Sequence, residues 1–311
     1  MIAVEDMAYV RLSAPDLDLM EACLRDFGLQ RAARTDTALF MRGVGTDPVL
    51  HITEKGAPRH IGFALKAQSR DDLQRLAAES GTPLETRTEP GGGAVVRLED
   101  PDGNSIEIVH GIEPAAATAV REPVHFNPAR SRARHNDVVR LQVAPSQVMR
   151  LGHVAIHVRN FAAMDAFYRE VLGLRLTDAY YIEEPGNTMA EFLHCGLGDR
   201  FTDHHSIALI NDGRSGFDHL GFEVLDMDDL MMGNRHLKRT AWEHSWGVGR
   251  HKDGSQIFDY WRDPFGLKIE HWTDGDQVND AYRPTLTLFS PELAPDTLSQ
   301  WAPPFNPDFL R

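Results

Sequence analysis

The apolar positions of this chain come in short strand-like runs, each followed by a stretch of helical periodicity, and the series is written twice. Met7-Ala8-Tyr9-Val10-Arg11-Leu12-Ser13-Ala14 has its counterpart in Leu151-Gly152-His153-Val154-Ala155-Ile156-His157-Val158. Both lead into helical segments that stop at Phe27-Gly28-Leu29 and Leu172-Gly173-Leu174. In the second, Phe161, Met164, Phe167, Tyr168 and Val171 recur at helical spacing, and Gly173 supplies the stop. Arg59-His60-Ile61-Gly62-Phe63 and Asp218-His219-Leu220-Gly221-Phe222 come next, each before another predicted helix, at 70–79 and 227–238. The series closes with 100–107 and 263–270, both opening on Asp-Pro-x-Gly. That tetrapeptide is a hairpin-turn signal, because proline presets one turn residue and glycine accepts a positive φ.

Three pairs of landmarks in one order predict two homologous modules. Their spacings agree loosely, 51 and 47 residues in the first copy against 66 and 51 in the second. The extra length falls between Ala179 and His205. The predicted fold is α+β: tandem βαβββ modules, each a sheet curled like part of a barrel around a concave face. The expected layout is a first module over 1–112 without a catalytic site, a linker over 113–148, a catalytic metal-binding module over 149–275, and a tail over 276–311. The linker is rich in Ala, Pro and Arg. Trp301 and Phe305 suggest a tail packed onto the body.

Composition narrows the function. At roughly 150 residues per domain, 311 residues suit two units with real cores. No run approaches the ~18 apolar residues of a membrane span, and Met1-Ile2-Ala3-Val4-Glu5-Asp6 lacks the order of a signal peptide. Cys23 and Cys195 are too few for a disulfide scaffold, so a cytoplasmic setting is expected. A net charge of -14 argues against a nucleic-acid partner, whose binding rests on neutralising phosphates. Ten of the fifteen histidines lie between His153 and His271, which points to chemistry in the second copy.

Within it, His153, His219 and Glu270 all fall in strand-like runs. Two imidazoles and a carboxylate on one side of a divalent metal leave the opposite side open, an arrangement suited to non-haem Fe(II) and O2. A lone histidine is more often a satisfied core group. Three such residues in a repeat frame are harder to dismiss.

The second module resembles the catalytic half of the type I extradiol ring-cleavage (catechol) dioxygenases, in the vicinal oxygen chelate superfamily, which also holds the glyoxalases. The matching segments are Leu151-Gly152-His153, His204-His205-Ser206-Ile207-Ala208-Leu209, Asp218-His219-Leu220-Gly221-Phe222, Gly249-Arg250-His251, Phe258-Asp259-Tyr260 and 263–270. His251, Tyr260 and Glu270 stand 9 and 10 residues apart, the family's intervals. The resemblance implies that His153, His219 and Glu270 hold Fe(II), with Mn(II) also compatible. It implies that His205 is the acid/base, and that His251 and Tyr260 hydrogen-bond the substrate and oxygenated intermediates. The implied reaction is O2-dependent opening of an aromatic ring beside two vicinal hydroxyls, as in aromatic-compound degradation, by a homo-oligomer with no membrane partner. His204 is expected on the opposite face from His205, since adjacent strand residues alternate. His157, His194, His244 and His271 are expected to be structural or surface residues.

The first module serves as an internal control. By the same landmarks, Tyr9, His60 and Glu107 stand for the three ligands, Thr46 for His205, Thr88 for His251 and Arg97 for Tyr260. Only two ligand-type residues remain, so no functional metal is expected there. For the substrate, Trp242 and Trp246 with a single arginine before His251 favour a neutral ring, such as an alkyl- or aryl-substituted catechol or a trihydroxytoluene. Arg283 in the tail, reaching into the pocket, would argue otherwise. The 180–192 insertion, with its Gly186-Asn187 turn, is expected to line or cover the pocket. The alternatives are another chelate-superfamily enzyme (glyoxalase-like, or a 2-oxo-acid dioxygenase) and a non-catalytic protein that sequesters a ligand.

Overall fold

The computed structural model describes residues 2–290, 297–304 and 309. The first half runs β1 (Val4–Ala14), α1 (Leu17–Phe27), β2 (Gln30–Arg34), β3 (Ala38–Arg42) and β4 (His51–Lys55). It repeats that pattern as β5 (Arg59–Ala67), α2 (Arg70–Ser80), β6 (Glu85–Thr86), β7 (Ala94–Glu99) and β8 (Ser105–His110). The strands form one sheet in the order β2-β3-β4-β1-β5-β8-β7-β6. Two βαβββ units are therefore joined through antiparallel first strands, β1 and β5, each parallel to its own unit's last strand.

The second half repeats the scheme with β9 (Val148–Val158), α3 (Phe161–Ala166), β10 (Leu174–Tyr181), β11 (Thr188–Cys195), β12 (Thr202–Asp203) and β13 (Ile207–Asn211). Its second unit is β14 (Gly216–Val224), α4 (Met227–Leu237), β15 (His244–His251), β16 (Ile257–Arg262) and β17 (Lys268–Thr273), followed by β18 (Gln277–Val278), β19 (Thr285–Leu288) and β20 (Ser299–Trp301). The sheet order is β19-β10-β11-β13-β9-β14-β17-β16-β15-β20, while β12 and β18 pair separately. The α+β architecture of tandem βαβββ modules is as predicted.

Local chemistry explains the helix limits. Asp16, Ser69 and Asp226 cap the starts of α1, α2 and α4 through their side-chain oxygens. Gly28 ends α1 with φ 115°, a conformation that costs glycine little. The helix expected over 161–171 is α only to Ala166 and then widens into a π-turn, Phe167–Val171. Within that turn the buried Tyr168 hydroxyl donates to Asp100 Oδ2 of the first module at 3.1 Å.

Between the sheets, residues 111–147 form no strand or helix. Arg121 pairs with Asp226 there, fastening the segment to the start of α4. Tail strands β19 and β20 pair with β10 and β15 at the two ends of the second sheet. Trp301 is 45% exposed, and its attachment to β15 is through the backbone. Phe305 lies outside the described residues. One apolar core runs through both modules. At its centre the Phe27 ring stacks on His271 at 3.7 Å, and His271 Nε2 donates to the Phe27 carbonyl at 2.6 Å. Among the described residues, no helix is long and apolar enough to cross a membrane.

Candidate metal centre and its cavity

Strand pairing brings the three expected ligands together. Gly221 on β14 stands opposite His153 on β9 and Glu270 on β17, and His219 lies two residues before Gly221, on the same face. His153 Nε2 is 2.9 Å from Glu270 Oε2, His219 Nε2 is 3.6 Å from the same oxygen, and the two Nε2 atoms are 3.2 Å apart. The neighbouring backbone is shaped for this: a Cβ on Gly221 would sit 2.2 Å from His153 Cε1. Only glycine leaves the imidazole room to lie across β14.

These donors fit a cation. Glu270 is fully buried, yet neither of its oxygens has a hydrogen-bond partner among the described residues. A buried carboxylate facing two imidazole nitrogens needs positive charge at that point. Burial pushes the Glu270 carboxyl up, but the facing His153, His251 and His219 outweigh it and hold it below the ordinary range. The ligand atoms of His153, His219 and Glu270 all lie within 4.8 Å of one another. His219 is aimed from behind, since its Nδ1 donates to Asp218 Oδ1 at 2.7 Å. Asp218 is held in turn by Lys268 Nζ at 2.7 Å and His157 Nε2 at 3.3 Å.

A cavity of about 320 Å³ opens on this centre, and His205, His251, Tyr260 and Trp246 all line it. The His205 ring lies 4.5 Å from that of His153. Burial holds His205 well below its ordinary value, and neighbouring imidazoles add to the effect, so the ring is neutral. His251 Nε2 is hydrogen-bonded to the Tyr260 hydroxyl at 2.9 Å. The Trp246 ring lies parallel to Tyr260 at 6.2 Å. Phe192, Ala208, Ile210 and Phe289 complete an apolar wall.

The 180–192 insertion forms the β10–β11 hairpin, and Tyr180, Met189, Ala190 and Phe192 line the cavity from it. Its Gly186 takes φ 115° at the turn. Arg283 is not among the lining residues; the arginine that lines the cavity is Arg214, which pairs with Asp212.

Several functional neighbours were not singled out from the sequence. His157, expected to be a structural or surface residue, lines the cavity and supports Asp218. Lys268 was missed altogether. Both lie an even number of residues from a ligand on the same strand, and that spacing is the signal that would have found them. His204 is also more than a neighbour, for its Nδ1 is 3.0 Å from His205 Nδ1. By contrast, His194, His244 and His271 bond to Thr177, Asp259 and the Phe27 carbonyl, which makes them structural.

The first module corrects part of the landmark alignment. Tyr9 stands opposite Ala64, and Ala64 opposite Glu107, so Ala64 takes the place of Gly221 and Gly62 that of His219. His60 is therefore not a ligand counterpart. The similarity of the Arg59–Phe63 and Asp218–Phe222 runs is offset by two residues from the sheet pairing. The His60 ring instead accepts a hydrogen bond from the Phe217 amide at 2.7 Å, at the contact between modules. By the same registers, Val49 rather than Thr46 matches His205, and Arg87 rather than Thr88 matches His251. Arg97 does match Tyr260.

Guanidinium groups occupy this centre. Arg11 and Arg97 reach Glu107 at 3.2 and 3.4 Å. Tyr9 donates its hydroxyl to Glu107, and Arg87 Nε donates to that hydroxyl at 3.3 Å.

The chain is similar to several known proteins. Residues 150–271 match the family described as the Glyoxalase/Bleomycin resistance protein/Dioxygenase superfamily. Metapyrocatechase 2 of Cupriavidus necator is 29% identical over 311 residues, 99% of this chain and 92% of its own length. The iron-dependent extradiol dioxygenase of Rhodococcus jostii is 27% identical over 307 residues, covering 90% of this chain and 92% of that protein. A Mn(II)-bound glyoxalase from Novosphingobium aromaticivorans has the same fold, with a TM-score of 0.80 at 23% identity over 100% of this chain and 95% of its own.

Proposed function

We propose that this chain, whose residues 150–271 match the Glyoxalase/Bleomycin resistance protein/Dioxygenase superfamily, is an extradiol dioxygenase that opens a vicinal-dihydroxy aromatic ring with O2. The observation that carries the reading is the grouping of His205, His251 and Tyr260 around the open side of the His153–His219–Glu270 centre. A metal held there, Fe(II) by the donor set and with Mn(II) also compatible, would bring diol and O2 together and exchange electrons between them.

The protein's own groups handle protons and orientation. His205, a neutral imidazole beside the centre, accepts the proton of a substrate hydroxyl as the diol binds and returns one as the ring opens. Tyr260, whose hydroxyl burial keeps protonated, donates to an oxygen on which negative charge builds, and His251 orients that hydroxyl. Apolar walls exclude water, and among the described residues the lysine and arginine that line the cavity are both paired, Lys268 with Asp218 and Arg214 with Asp212. These features favour a neutral alkyl- or aryl-substituted catechol.

The test is O2 uptake with a panel of diols after anaerobic iron loading, with the product identified by mass spectrometry under 18O2. The expected product carries two labelled oxygens and the carbon skeleton opened beside the diol. Isomerisation of a thiol adduct without O2 uptake would instead make the chain glyoxalase-like.

A further inference from the structure

Behind His205, away from the metal centre, lies a buried chain of polar groups that the reaction as described leaves unused. The Asp178 carboxylate, at the start of this chain, accepts from the Thr285 amide at 2.7 Å and from the Thr285 hydroxyl at 2.5 Å, both on the tail strand β19. Its other oxygen is 2.7 Å from His204 Nε2. The opposite nitrogen of that ring, Nδ1, is 3.0 Å from Nδ1 of His205. His204 is 2% exposed and wedged between Gly254, where a Cβ would lie 3.0 Å from its Nδ1, and the Phe192 ring. The Thr177 hydroxyl fixes its backbone by donating to the His204 carbonyl at 2.7 Å.

The hydrogen-bond inventory of this chain has one consistent solution for neutral imidazoles. Asp178 can only accept, so His204 carries its proton on Nε2. Its Nδ1 is then a lone pair, which among the described residues an N–H on His205 Nδ1 satisfies. That leaves His205 with a bare Nε2, on the residue that lines the cavity. We infer that His204 is a positioning residue, which with Asp178 locks His205 into the tautomer whose free lone pair faces the substrate hydroxyl. This inference rests on the reading of His205 as the proton acceptor, but the tautomer itself can be observed without any turnover. When the proton moves, the substrate O–H bond breaks, an Nε2–H bond forms, and His204 keeps its proton.

The experiment uses the full chain loaded with Zn(II), a diamagnetic probe, and two-bond 1H–15N spectra of the histidine rings. In the wild type, His205 is expected as the Nδ1–H tautomer. His204→Leu is expected to release it into a mixture, while His204→Gln, which can donate to Asp178 and accept from His205, restores it. With Fe(II), His204→Leu should lower kcat about 10–100-fold with KM changed less than about 2-fold, and His204→Gln should recover most of the loss. An Nε2–H tautomer in the wild type, or a His205 signal unmoved in His204→Leu, overturns the inference. The expected spectra in a wild type that opens no diol ring would support it and sink the functional reading instead.

Discussion

The two modules share a sheet order and differ in what occupies the centre of the curl. In the second, His153, His219 and Glu270 converge, with no hydrogen-bond partner for either Glu270 oxygen among the described residues. The equivalent carboxylate of the first, Glu107, is met by Arg11, Arg97 and Tyr9. Both centres satisfy the same electrostatic demand, since a buried carboxylate needs a cation. One does so with charges covalently attached to the protein, and the other presents donors that suit a diffusible ion. A fixed guanidinium has no open coordination position, so it can support a fold but cannot activate O2. The difference between them rests on a few positions rather than on the scaffold.

Exchanging those positions tests the contrast, and the carboxylates should show the largest effect. Glu270→Gln is expected to lower turnover about 10³-fold or more and to release the metal, read by elemental analysis and O2 uptake. Glu107→Gln should keep one metal per chain and near-normal turnover while lowering Tm, because its arginines lose their partner. Two metals per wild-type chain would break the contrast outright.

Glycine 221 comes next. Gly221→Ala installs the methyl that Ala64 carries in the first module, at a point 2.2 Å from the His153 ring. Metal affinity should fall about 10–100-fold by competition titration, with the circular dichroism spectrum unchanged. Wild-type affinity in this variant would refute the close-approach argument.

Tyrosine 260 separates charge from hydrogen bonding. Tyr260→Arg imports the residue of the first module, Arg97, and should displace the metal. Tyr260→Phe should keep the metal and lower kcat about 10–100-fold. If both variants keep the metal equally, attached charge is not what silences the first centre.

The smallest expected effect is on stability against pH. His51, fully buried in the first module, is pushed by burial from 6.5 down to about 3, and it occupies the place of Ile207 in the second. The unfolded chain takes up a proton at this residue below about pH 6.5, whereas the folded chain does not. Stability is therefore full above that pH and declines as pH falls toward 3. His51→Ile should remove this contribution, worth about 2 kcal/mol at pH 5, and flatten the fall in Tm between pH 7 and 5. An unchanged slope would show that His51 does not set the acid sensitivity.

Much of this was legible in the chain because it was local. The Asp-Pro-x-Gly turns put Gly103 and Gly266 at φ 89° and 95°, and apolar periodicity located α2 and α4 to within a residue at each end. The ligand trio could be read because its spacing survives in one dimension. What escaped depends on pairing across strands. His60 resembles His219 by its flanking residues, yet a two-residue offset in the β1–β5 register carries it away from the centre. His204 was placed opposite His205 by strand alternation, but the pair lies in the connection before β13, where alternation does not apply. Lys268 and Asp218 gain meaning only from the parallel pairing of β14 with β17.

The stacking of Phe27 on His271 has a further consequence. His271 follows Glu270 in β17, so the strand that presents the carboxylate leans on α1 of the first module. An engineer who trimmed this chain to its second half would strip away the wall behind that strand, leaving a greasy face where a helix had been. The first module thus serves the second as its structural backing, through a helix that lies far from Glu270 in the sequence.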